Sequence, residues 1–581
     1  MKNSLKFLIA LCLAFAIALS TAACKREEEN PSSSNVDSVI ETPSQESEST
    51  ESEVESEETL ENEDDEFIDF ESEEDLEDEP DEFEFAEELY VNNGSAPVND
   101  NFLGVNGVHM GFAFMPDKLG NRTPLEKWQR DTEYDRIAKT MGVKQIRSFY
   151  SSSIVWDYKT KQLEWDVNKN PYLSGFYDSL KAWQDRGVEV ALSAHWSLAA
   201  FIGKAHDSGT VSSFAGDGWY VKDDLDTTLK NYSDFMKKSV LNLEANGIHN
   251  VKYWLAYTEA NNTFGFGIEG RKYDEVCELY KKAVTALDEG LKASGRRKAY
   301  KIVGPCDNYR ADFEYTDSEQ YSIMVEYTLK NLSDKVDIIG SHGGYSGAVQ
   351  YVDDSYYYNP SVTMGKTKAM TVAAGKEFWI DEYNARVYNS DIKTVDDLLA
   401  SNRNPVKGVA LGATVNGVLN MGANNVFIWS FSDMQWSDNT SVNEEFMTGL
   451  QISGYMPTPL ISMTPYYSWY SLSLLTRYIG QGTVYKTEEG YSIYISCIER
   501  TDGEWTVVVT NYNITDTPIH INFEKSMDGK TFYRHLYDVN NVIPTEDAKI
   551  IPASARASNV KTGFYDTLPG YSVAVYTTVK D

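Results

Sequence analysis

From about Phe102 onward the chain alternates two patterns. Short runs of β-branched and aromatic residues read as buried strands, and the stretches between them carry apolar residues at helical spacing. The strand-like runs are NGVHMGFAF (Asn106 to Phe114), KQIRSFYS (Lys144 to Ser151), EVALSAHW (Glu189 to Trp196), VKYWLAYTE (Val251 to Glu259), KIVGPCDN (Lys301 to Asn308), VDIIGSHGGY (Val336 to Tyr345), EFWIDEYNA (Glu377 to Ala385) and NVFIWSFSD (Asn425 to Asp433). Helical patterns cover Thr132 to Met141, Tyr172 to Arg186, Leu225 to Asn246 and Tyr273 to Ser294. Eight strands taking turns with helices predict an α/β chain folded as a (β/α)8 TIM barrel with insertions.

Beyond an aromatic amphipathic helix at Pro465 to Gly480 the period changes to two. YSIYISCIE, EWTVVVTNY, TPIHINF, KTFYRHLYDV and YSVAVYTTV are short alternating runs separated by turn residues. They predict a small antiparallel β-sandwich packed on the barrel. The expected plan is a signal peptide at 1–23, a lipidated N-terminus and acidic linker at 24–97, the barrel at 98–480 and the sandwich at 481–581.

Charge explains why nothing folded is expected early in the chain. Residues 25–90 carry 30 acidic and 2 basic residues, −28 of the total −37. Such a segment buries too little apolar surface to offset chain entropy, and its like charges extend it. It reads as a stalk, although Phe67, Phe70, Phe83 and Phe85 alternate with acids and leave a partner-binding tail open. Before it, Lys2 and Lys6 precede an apolar run from Phe7 to Leu19 and the small residues Thr21-Ala22-Ala23 ahead of Cys24. That run is short for a permanent span and suits a secretory signal. Small residues before a cysteine resemble a bacterial lipobox, which implies lipidation of Cys24 and anchorage to the outer face of a bacterial cell membrane. The other reading is an ordinary signal cut near Ala23.

From Val91 onward the charge is only mildly acidic, so no basic face for nucleic acid is expected. The five cysteines form no CxxC pair and no HExxH is present, so neither a metal with nitrogen or sulfur ligands nor a cofactor is called for. Calcium held by oxygen stays open, and no protein partner is implied. Aromatics are 13% of the chain, which fits well-filled cores and equally the flat faces that sugars lie on.

The chemistry concentrates at two strand ends. VKYWLAYTE closes on Glu259 and EFWIDEYNA carries Glu382, and the C-terminal edge of barrel strands is where active sites are built. By count these are strands four and seven, which suggests two carboxylates facing one another across the mouth. Such a pair performs glycosidic cleavage with retention when one acid protonates the leaving oxygen and the other attacks the anomeric carbon. Glu259 is the candidate acid/base, its pKa expected to be raised by partial burial and a like charge, and Glu382 the candidate nucleophile. Arg147 on strand two is the obvious cation for Glu382.

These motifs, W254-L-A-Y-T-E259-A-N with I-D-E382-Y, resemble clan A of the retaining glycoside hydrolases, in layout nearest the β-xylosidase and α-iduronidase family. The resemblance covers the barrel and implies a carbohydrate substrate. The common edge of His109, His195 and His342, at the ends of strands one, three and six, suggests sugar-hydroxyl ligands and equally structural histidines; His195 and His342 match places where some clan members use histidine. Tyr345 would hydrogen-bond the nucleophile and Trp429 would floor a sugar subsite. Trp196, like Trp156 and Trp436, reads either as a further subsite wall or as packing. The clan usually has asparagine before the acid/base, where this chain has Thr258; either Asn261 or Asn262 holds the sugar 2-hydroxyl instead, or the sugar or linkage is an unusual one, and both readings stay open. Two functional readings follow: a lipid-anchored retaining glycosidase acting on a plant or microbial polysaccharide, or a non-catalytic glycan-binding lipoprotein on a degenerate barrel.

Overall fold

The computed structural model describes residues 68–70, 85–109, 126–150, 152–157, 162–194, 225–255, 257–263, 273–308, 322–342, 348–350, 360–388, 400, 403–435, 442–443, 446–447, 450–451, 455–457 and 462–580. Eight parallel strands close a barrel: Val105–Val108, Gln145–Phe149, Glu189–Ser193, Val251–Leu255, Lys301–Asn308, Ile338–His342, Glu377–Tyr383 and Asn425–Ile428. They are strands one to eight below; strands two to eight lie within the runs read as strands from the sequence, and strand one begins one residue before its run. Closure is explicit in the register, where Val426 of strand eight pairs with Val105 of strand one.

Alternation along each strand divides two cores. Val108, Phe149, Ala191, Leu255, Val303, Ile338, Trp379 and Phe427 fill the lumen, while the intervening residues, such as Ile146, Val190 and Ile380, pack against the helices. The helix starts follow capping chemistry. Asn170 accepts the N–H groups of Tyr172 and Leu173, with Pro171 at the first helical position of Pro171–Asp185. Ser322 caps Ile323–Asn331 through the N–H of Val325.

The second domain is a two-layer sandwich. An eight-stranded sheet contains Ile493–Arg500, Trp505–Asn511, Lys530–Asp538, Ala553–Val560 and Ser572–Thr577, and it faces a four-stranded sheet containing Thr517–Phe523 and Gly563–Leu568. Ile493, Ile495 and Cys497 point into the space between the sheets. On the opposite face of that strand, Ser496 donates to Asn416 of the helix Val406–Met421 at 2.6 Å, and the Tyr494 carbonyl accepts from the same side chain at 3.0 Å. This helix is buried on almost every side, with the sandwich against it. Gly408 and Gly412 permit the approach, since a Cβ there would meet the Tyr537 ring and Val573 at 2.6 Å.

The sandwich is not made from the C-terminal segment alone. Glu87–Val91, within the stretch read as linker, pairs in parallel with residues 519–523, and Leu89 and Val91 are fully buried in the sandwich core. Asn99–Phe102 pairs with Gly482–Tyr485, and Ile68–Phe70 adds to the edge at residues 555–557, where Asp69 bonds Arg556 and the Arg534 guanidinium lies 4.7 Å from the Phe70 ring. The short alternation E-E-L-Y-V is hidden in the sequence by its acidic surroundings, yet two apolar side chains on one face suffice once a partner strand is present. No described helix is long and apolar enough to cross a membrane. Leu89→Ala is expected to destabilise the protein by about 2–5 kcal/mol, the usual cost of emptying a core leucine site, measured by urea denaturation; an unchanged midpoint would remove this strand from the fold.

Candidate active site

At the C-terminal edge of the barrel, strands two, four, six and seven bring Arg147, Glu259, His342 and Glu382 together. One oxygen from each glutamate and one nitrogen of His342 all lie within 4.8 Å of one another. The Nδ1 of His342 is 3.5 Å from Glu259 Oε1, and its Nε2 is 3.5 Å from Glu382 Oε2. The imidazole therefore bridges the two acids. Their environments differ: the Glu259 side chain is 29% exposed and that of Glu382 only 5%.

Glu259 leaves its strand through an uncommon backbone. Its φ is 51°, in the left-handed region, and the same holds for Cys306 on strand five at 55°. Such a conformation in a non-glycine residue costs on the order of 1 kcal/mol or more. The two residues are tied directly, the Glu259 N–H donating to the Cys306 carbonyl at 2.7 Å. Cys306 lies where the register of strand five shifts against strand six, so the irregularity in one strand props the turn that follows another.

Glu382 is held by Arg147, which is fully buried. Its Nη1 donates to Glu382 Oε2 at 2.8 Å and to the Asp381 carbonyl at 2.8 Å, and Nη2 donates to Thr258 Oγ1 at 2.8 Å. Burial opposes the guanidinium's charge, but Glu382 and Asp381 more than compensate and raise its pKa above the ordinary value. Thr258, where the clan usually has asparagine, also shares a 2.6 Å hydrogen bond with Ser193. Its hydroxyl belongs to the support of Arg147. Strand-end spacing did not reveal that role, because the hydroxyl acts on a residue two strands away.

His342 is also fully buried. Burial lowers the pKa of such a group, but the charges of Glu382 and Asp381, with the nearby carboxylate of Glu259, outweigh it and lift the value from 6.5 to about 9. Glu259, His342 and Glu382 could each offer one ligand atom to a cation, for which Arg147 would compete at Glu382.

The other expected ligands separate. His109 is turned to the helix layer, its Nε2 3.2 Å from Glu133 and its ring edge-on to Tyr134 and Trp183 at 5.1 and 5.2 Å. The neighbouring Val108 takes the lumen position, so alternation sends His109 outward to a contact with Glu133 rather than to the barrel mouth. Asn261 is fully buried on the one-turn helix Ala260–Thr263. Trp429 belongs to the lumen cluster at the end of strand eight, only 5% exposed and edge-on to Phe149 at 5.9 Å, and its peptide bond to Ser430 is cis. His195, Trp196, Tyr345, Trp436 and Cys24 lie outside the described residues, as do the side chains of Trp156 and Asn262. Asp381, beside Glu382 and 3.7 Å from His342, was not singled out from the sequence, because adjacent strand residues ordinarily face opposite ways.

No protein-family model and no curated protein matches the sequence. Solved structures do match the fold. The family 30 subfamily 8 xylanase Xyn30A of Clostridium acetobutylicum aligns over 84% of this chain and 99% of its own, with a TM-score of 0.52 and 14% identity. A glucosidase from Croceicoccus marinus aligns over 85% and 99%, with a TM-score of 0.51 and 9% identity. A family 51 arabinofuranosidase from Xanthomonas axonopodis aligns over 84% and 99%, with a TM-score of 0.50 and 10% identity. The chain thus shares its barrel-and-sandwich fold with glycoside hydrolases of several families, as the clan A resemblance implies for the fold.

Because the folded-state pKa of His342 exceeds its unfolded value, its contribution to stability is complete below pH 6.5 and is lost as pH rises through about 9. Urea midpoints of the wild type are expected to fall across that window by more than those of His342→Gln; parallel curves would mean that the imidazole is not held charged.

Proposed function

We propose that the protein is a retaining glycoside hydrolase that uses Glu382 as nucleophile and Glu259 as acid/base. The observation that carries this reading is the approach of the two carboxylates to within 4.8 Å. Retaining enzymes hold their carboxyl groups roughly 5–5.5 Å apart, whereas inverting enzymes need roughly 6.5–9.5 Å to admit a water. The asymmetry in exposure supports the division of labour. Glu382, deep and paired with Arg147, is placed to attack the anomeric carbon, and Glu259, nearer solvent, is placed to give a proton to the leaving oxygen and take one from water.

In the first step the Glu382 carboxylate forms a bond to the anomeric carbon as the glycosidic bond breaks, and the Glu259 proton passes to the departing oxygen. In the second, Glu259 takes a proton from water, whose oxygen displaces Glu382 and regenerates both groups. The electron pair of the broken glycosyl–Glu382 bond returns to the carboxylate, which Arg147 holds in a fixed position, and His342 lies between the two carboxyls. Thr258, already bonded to Arg147 and Ser193, cannot make both of the amide-type hydrogen bonds that an asparagine there would offer the sugar 2-hydroxyl.

The substrate in this reading is a β-linked or equatorial glycoside of a plant or microbial polysaccharide, with Trp429 beneath the sugar. The lipobox-like Thr21-Ala22-Ala23-Cys24 supports an enzyme tethered through Cys24 on the outside of a bacterial membrane, with the acidic segment as its stalk. The names of the fold neighbours, which include a xylanase, a glucosidase and an arabinofuranosidase, support a carbohydrate substrate.

Assayed on aryl glycosides and plant-wall polysaccharides, Glu382→Ala is expected to lose turnover entirely while still binding sugar. Glu259→Ala should lose about 10²–10⁴-fold on substrates whose leaving group needs a proton and much less on activated aryl glycosides. Proton NMR of the first-formed sugar should show the starting anomeric configuration. Inversion would overturn the nucleophile assignment, and sugar binding with no hydrolysis by the wild type would favour the glycan-binding reading.

A further inference from the structure

Strand seven carries two adjacent acids, and ordinary alternation would send one of them out of the barrel. It does not. Against strand six, Ser341 pairs with Ile380 and the next residue, His342, pairs with Glu382, so Asp381 is an extra residue without a partner. The same insertion shows on the other side, where Ile380 pairs with Val426 and Tyr383 with Ile428. This is a β-bulge, and its effect is to turn Asp381 and Glu382 toward the same imidazole. Asp381 Oδ2 stands 3.7 Å from His342 Nε2 and Glu382 Oε2 stands 3.5 Å from the same atom. Asp381 is fully buried, and neither of its oxygens receives an N–H or O–H hydrogen bond among the described residues. Space for it comes from Gly340 on strand six, where a Cβ would lie 3.3 Å from the Asp381 carboxyl carbon.

We propose that Asp381 is a positioning residue, the buried counter-charge that holds a positively charged His342 seated between Glu259 and Glu382. This rests on the hydrolase reading of the site for its consequence in catalysis. The groups facing Asp381 are Arg147 from strand two, His342 from strand six, Cys306 from strand five, Tyr280 from the helix Tyr273–Ala293 and Glu382 from its own strand. Asp307, next to Cys306, is tied to Ser322. Two cations, Arg147 and His342, are thereby balanced by two anions, Asp381 and Glu382. Glu259 meets the same imidazole at its other nitrogen. Without Asp381 the two buried cations would share the Glu382 carboxylate, and the cheapest relief is loss of a proton from His342. The upward displacement of the His342 pKa, to which Asp381 contributes, agrees with this balance.

The test is a titration of His342 by NMR in the full-length protein with labelled histidine, its signal assigned by its loss in His342→Gln. The wild type should titrate well above pH 6.5, and Asp381→Asn should lower the midpoint by about one unit or more, with Asp381→Glu restoring part of the shift. In kcat/KM profiles the basic limb of Asp381→Asn should move to lower pH with little change in KM, which a merely structural role would not produce. A wild-type midpoint near 6.5, or an unmoved midpoint in Asp381→Asn, overturns the proposal; the wild-type measurement decides it even if the variant does not fold. A lowered midpoint in a protein that hydrolyses no glycoside would uphold the charge role of Asp381 and sink the hydrolase reading.

Discussion

The buried pair of Arg147 and Glu382 is the constraint around which the barrel mouth is arranged. A guanidinium with no exposure needs partners for its donors, and Nη1 and Nη2 find them in the Glu382 carboxylate, the Asp381 carbonyl and the Thr258 hydroxyl, itself bonded to Ser193 of strand three. Removing one partner of such a pair costs roughly 3–5 kcal/mol, because the other is left charged and unsolvated. The geometry of strands two, three, four and seven is locked through this one cation. The surrounding structure can then tolerate a left-handed turn at Glu259 and a bulge at Asp381.

Both irregularities place a carboxylate. Regular parallel strands would present side chains at fixed heights and on alternating faces, which cannot bring three acids and two bases into a pocket a few ångströms wide. The bulge on strand seven supplies an additional inward residue, and the register shift on strand five supplies the carbonyl that receives the Glu259 N–H. Each departs from ideal backbone where the polar groups converge, while the lumen below them, filled by Trp379, Phe427 and Val303, keeps ordinary alternation.

The eight barrel strands were legible in the sequence because each is buried on both faces and reads as a short apolar run, and Glu259 and Glu382 were legible because they end such runs. What the sequence concealed was whatever depends on partners far along the chain. His109 looked like a mouth residue until the one-residue offset from Val108 turned it to Glu133. Asp381 drew no notice in the sequence, since only the bulge turns it toward the same imidazole as Glu382. The helix Val406–Met421 shows no helical period because the barrel and the sandwich cover it from opposite sides. Thr258 seemed only a lost amide, and its role emerged from a contact with strand two.

Leu89 and Val91 lie in a strand that leaves the synthesis machinery early, yet its neighbours at residues 519–523 are more than four hundred positions downstream. The barrel is therefore an insertion inside the sandwich. Chain growth delivers the first strand of that sheet long before its partners exist, and the sheet can only be stitched once the whole polypeptide is available. Loop closure of that span makes the sandwich a late event in folding. Its completion fastens the beginning of the barrel segment to the end, like a belt buckled after the garment is on.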